Sequence, residues 1–82
     1  MDKFKTQSII KTIKDRKRVE MEYLDAVKRQ LGYWKSQIEI TDPKKDINRY
    51  DELKRNIESE KVHIKQIENE LNKINDDIAK LQ

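Results

Sequence analysis

In 82 residues there is no cysteine, one glycine, one proline and one histidine, and each scarcity removes a class of protein. Without cysteine there are no disulfides, no thiolate metal ligands and no thiol nucleophile, a composition neutral to mildly favourable for a reducing compartment. A single glycine rules out a glycine-rich phosphate loop. One histidine, His63, with scattered carboxylates does not make a metal site, which needs convergent ligands at defined spacing. No readable arrangement of Ser with His and Asp is present, and the paired carboxylates Asp51-Glu52 and Asp76-Asp77 are adjacent, so on a helix they diverge. The expectation is a protein that is not an enzyme and takes no cofactor or metal. Long apolar runs are missing too: nothing approaches the ~20 residues of a membrane span. The opening Met1-Asp2-Lys3-Phe4-Lys5-Thr6 is not followed by a signal-peptide core. The expected location is cytoplasmic or peripheral at a membrane surface.

What is abundant is charge. Residues of both signs make up 43% of the chain against 34% apolar, and they are interspersed, which suits long helices better than a repelling disordered tail. So little core per residue predicts that self-association or a partner completes burial, most simply as a homodimer.

The chain is organised around its second half. Tyr50, Leu53, Ile57, Ile64, Ile67, Leu71, Ile74, Ile78 and Leu81 recur at alternating steps of three and four, with Glu60 the one polar member of the row. This is the spacing of a coiled-coil seam. The first half carries a matching row: Ile10, Ile13, Lys17, Glu20, Leu24, Val27, Leu31, Trp34 and Ile38. Lys17, Glu20 and Glu60 either lie where packing loosens or fix register and partner choice, as polar seam residues can. Ile9, Val19, Tyr23 and Ala26 lie beside the first row and widen its apolar face, which fits a bundle of three or more helices.

Thr41-Asp42-Pro43 is the one strong punctuation. Proline disfavours helical geometry in the residue before it, so the first helix should end near Ile40. Asp42 can cap the next helix with Pro43 at its first position, and Asp46, Asp51 and Glu52 would favour its dipole. The expected architecture is an all-α antiparallel two-helix coiled-coil hairpin that dimerises into a bundle. One domain, 1–82, holds helix 1 over about 8–40 with Ser8 as cap, a turn at about 41–43, and helix 2 over about 43–81. Each arm is ~55 Å long. Gly32, inside the first helix, would mark a kink or a close helix crossing.

Charge is uneven along the chain. Residues 1–41 hold ten Lys/Arg against six Asp/Glu, net +4, and residues 42–82 hold nine against ten, net −1. The densest basic cluster is Lys11, Lys14, Arg16, Lys17 and Arg18, relieved by Asp15. It suits anionic lipid headgroups or a nucleic-acid backbone. The bland alternative is a solvated face paired with Glu20 and Glu22 at helical spacing. No helix-turn-helix spacing accompanies it, so support for nucleic acid is thin. Tyr23, Tyr33 and Trp34 read as core or interface packing, with Trp34 near the hairpin tip an anchor for a second chain. His63 reads as a satisfied, partly exposed side chain.

The stretch Ile9-Ile10-Lys11-Thr12-Ile13-Lys14-Asp15-Arg16-Lys17-Arg18-Val19-Glu20-Met21-Glu22-Tyr23, an apolar pair followed by a basic cluster and a Glu-containing run ending in Tyr, resembles the second BAR-domain helix of sorting nexins. Asp42-Pro43-Lys44-Lys45-Asp46-Ile47 and the row from Leu53 to Leu71 resemble the helix that follows it. The likeness covers about residues 9–72. Complete members have three long BAR helices and a phosphoinositide-binding PX domain, so the expectation is a fragment or an abbreviated relative. The resemblance implies homodimerisation and binding of curved anionic membranes, with Lys11, Lys14, Arg16, Lys17 and Arg18 as lipid contacts. Two functions follow: a non-catalytic coiled-coil module acting as a BAR-like membrane scaffold, or a small adaptor or regulator of bacterial or phage type that grips another protein.

Overall fold

The structure, a computed structural model, describes residues 3–82. It consists of α1, Lys3–Glu39, and α2, Ile47–Leu81, folded back on one another as a helical hairpin of 66 × 15 × 13 Å. Among the described residues there is no strand. The hairpin follows from the two rows. Each is an apolar stripe along a charge-rich helix, and laying one on the other removes both from water.

All nineteen row positions, nine on α1 and ten on α2, are buried or half-buried. Leu24, Val27, Leu53, Ile57, Ile67 and Ile74 form the core proper, with Leu53 at 0% and Ile74 at 2% exposure. Leu31, Trp34, Ile38, Tyr50, Ile64, Leu71, Ile78 and Leu81 are half-buried around them. Ile64 and Leu71 pack against the cluster of Leu24, Val27 and Ile67, so this part of the α2 row is used within its own chain. Lys17, Glu20 and Glu60 are half-buried as well, so the row runs through its polar members without a break.

The register is marked by two cross-helix contacts. Tyr23 meets His63, and Arg16 meets Glu70. Arg16 lies seven residues before Tyr23 while Glu70 lies seven after His63, so the helices run antiparallel and keep step over a full heptad.

Three expectations are corrected at the helix ends and at the glycine. α1 includes Lys3, well before Ser8, because no glycine or proline interrupts the N-terminal stretch. Ser8 is therefore interior, and its carbonyl accepts a hydrogen bond from Thr12 Oγ1 at 3.0 Å. The connection is longer than 41–43. Asp42 Oδ1 accepts from the Lys44 amide at 2.8 Å, and the Asp42 carbonyl accepts from the Lys45 and Asp46 amides. Pro43 thus sits second in a turn opened by Asp42, the places these residues favour. Asp42 caps only that isolated turn. Asp46, with φ −138° and ψ 70°, breaks the helical path and caps α2 by accepting from the Arg49 amide at 3.2 Å. Asp51 and Glu52 consequently fall beyond the first turn of α2. Gly32 marks no close crossing, since a Cβ built there meets nothing within 4 Å.

Candidate functional site

The hairpin has two flanks, and they differ. On one, Tyr23 Oη lies 3.1 Å from His63 Nε2, and the rings meet edge to face at 5.2 Å and 70°. His63 is half-buried and satisfied by this contact. One heptad further, Arg16 reaches Glu70 at 3.9 Å with both side chains well exposed, a pair of small energetic weight. On the other flank a groove of about 480 Å³ runs between the helices, lined by Lys17, Met21, Leu24 and Lys28 of α1 and Glu68 and Leu71 of α2 among others. Its mixed charges and shallow apolar floor give it no marked preference for one ligand chemistry. Among the described residues no group of three or more His, Cys, Asp or Glu is placed to hold a metal ion, and no helix is long and apolar enough to cross a membrane.

The basic cluster does not form one surface. Lys11, Lys14 and Arg18 are exposed and, at spacings of three and four, share a face of α1. Arg16 turns to the opposite flank and faces Glu70. Lys17 is half-buried in the seam beside the groove. Arg18 also lies 3.8 Å from Glu22, one turn on, which is part of the bland reading realised.

The more unusual surface lies on α1 and on Ile40, the turn residue that follows it. A second row at steps of three and four runs one residue behind the first: Ile9, Thr12, Arg16, Val19, Tyr23, Ala26, Gln30, Tyr33, Gln37 and Ile40. Nine of the ten are exposed, and Gln37 is half-buried. Ile9 is 43% exposed, Val19 55%, Tyr23 47%, Tyr33 52% and Ile40 79%. Tyr33 is braced edge-on by Trp34 at 5.1 Å and 61°, which ties its ring to a half-buried seam residue. The widened face read from Ile9, Val19, Tyr23 and Ala26 is thus part of a longer stripe. Tyr33 and Ile40 belong to it, and counting on at the same step from Ala26 finds them. α2 has no counterpart: all ten residues one behind its row, from Arg49 and Glu52 to Asp77 and Lys80, are polar or charged.

No family model, curated protein or solved structure matches the chain. The fold class is that of an all-α helical hairpin, and any reading of its work rests on this surface.

Proposed function

We propose that the chain is a non-catalytic coiled-coil interaction module. α2 closes the first row of α1, and the second row receives a helix from outside the hairpin. The observation that carries this reading is the exposed stripe from Ile9 to Ile40, apolar at six of its ten positions on an otherwise charged helix. Contiguous exposed apolar surface of this kind is what protein–protein contact sites present. The test is affinity capture by the tagged chain from an extract of its source, beside a variant carrying Val19→Lys and Tyr33→Lys. Both positions are exposed, so helix content by circular dichroism should be unchanged. Protein held by the native stripe and released by the double variant is the expected result. Equal capture by both, or capture of neither another protein nor added untagged chain by either, contradicts the reading.

A second reading, the BAR-like scaffold at an anionic membrane, is favoured by the exposed triad Lys11, Lys14 and Arg18 on one face. It is weakened by the diversion of Arg16 and Lys17. Phosphatidylserine vesicles should then sediment the chain at low salt and release it at high salt, with Lys11→Glu plus Arg18→Glu abolishing the effect. No sedimentation at low salt removes this reading. Competition by duplex DNA would instead assign the triad to nucleic-acid phosphates.

A further inference from the structure

We infer that the helix received by the second row is the same row of a second copy, running antiparallel, so that two hairpins join through their α1 helices as a four-helix bundle. This rests on the interaction-module reading and names its partner. The stripe is close to self-complementary when reversed about a point between Tyr23 and Ala26. In an antiparallel pair the two alternating positions of one stripe face the opposite positions of the other. Ile9 then faces the partner copy's residue at position 40, also isoleucine, closing both ends of the contact with apolar layers. At the centre the large Tyr23 faces the small Ala26, an alternation that lets two helices interdigitate. Between them Arg16 faces Tyr33, placing a guanidinium against an aromatic ring that Trp34 already braces. Because the interface is two-fold, each pairing occurs twice. The remaining layers set Thr12 and Val19 against the amides of Gln37 and Gln30, which mark the register with polar contacts.

Charge selects the direction. Residues 11–18 carry Lys11, Lys14, Arg16, Lys17 and Arg18 against Asp15 alone, net +4. Side by side in a parallel pair, two such clusters would lie within the ~8–10 Å over which charges repel at physiological salt. Run antiparallel, each cluster meets residues 31–38, where Lys35 is the single charged residue. The size also fits. The stripe is ~46 Å long, and its ten positions with their flanking residues give about 20 residues a side, as in a standard protein interface. His63 and Glu70 of α2 lie beside the stripe, through Tyr23 and Arg16, and border the contact.

The absence of cysteine makes the test clean. Ile9→Cys and Ile40→Cys chains, mixed and gently oxidised, should yield a disulfide-linked pair with one of each, close to twice 9.9 kDa by mass spectrometry. Ile40→Cys alone should link poorly. Efficient linking of Ile40→Cys to itself means a parallel pair and overturns the inference. Ala26→Trp, exposed in the single hairpin, should weaken pairing ~10-fold or more by overfilling the central layer. Unchanged pairing in that variant overturns the register. A native chain with the mass of one copy at every concentration overturns the second copy. Stripe-dependent capture of a different protein would still stand in that case, so the two failures are separable.

Discussion

α1 and α2 have nearly the same length and the same dense charge, yet they make different demands on their surroundings. α2 has one apolar row, and α1 covers it. α1 has two, and α2 covers only the first. The residues flanking the α2 row, Arg49, Asn56, His63, Glu70 and Asp77, are all polar or charged. Those flanking the α1 row on the same side include Ile9, Tyr23 and, one step outward, Val19 and Tyr33. A two-helix hairpin can therefore leave one arm with only the isolated exposed apolar residues Ile47 and Val62 and the other with a whole stripe. The unsatisfied arm is where association is to be sought, and in the pairing proposed above the basic cluster on that arm bears on direction more than on existence.

The sharpest way to break this comparison is to truncate one residue in each row. Leu53→Ala, in the closed row at 0% exposure, should cost ~2–5 kcal/mol in urea unfolding. Tyr33→Ala, in the open row, should change the stability of the single hairpin by no more than ~0.5 kcal/mol when measured at dilutions that favour one copy. Equal losses would mean that the second row is already covered within the chain. A smaller effect sharpens the picture of the closed row. Glu20→Leu fills a half-buried polar gap in the α1 seam and should stabilise the hairpin by about 1 kcal/mol, read as a rise in Tm. Lower stability would show that Glu20 has a specific partner. A further small gain is expected from Gly32→Ala. Nothing lies within 4 Å of the added methyl, so helix propensity alone acts and stability should rise by up to ~1 kcal/mol. A loss there would place a close neighbour against Gly32 that the single hairpin does not contain.

The closed row was legible in the sequence residue by residue, because a three-and-four spacing on a helix translates directly into one buried face. Even its polar members, Lys17, Glu20 and Glu60, follow the rule and are half-buried. The turn was legible in kind but not in extent. Asp42 and Asp46 are both competent caps four residues apart, and propensity does not say which of them starts the long helix. Hydrogen bonding of the Arg49 amide to Asp46 decides it. The basic cluster was least legible, since adjacency in sequence hides direction on a helix: five neighbouring cations split into an exposed triad, a cross-helix pair and a seam residue. The second row was half-visible. Ile9, Val19, Tyr23 and Ala26 stood out, but polar residues at Arg16, Gln30 and Gln37 concealed its continuation to Tyr33 and Ile40.

Sedimentation equilibrium of the native chain beside the Val19→Lys, Tyr33→Lys variant tests the central claim, that the open row of α1 receives a second copy, most directly. The native chain should pass from 9.9 kDa toward twice that mass as concentration rises, while the variant stays at one copy with unchanged helix content. A native chain that never exceeds one copy, or a variant that pairs as well as the native chain, would contradict the account.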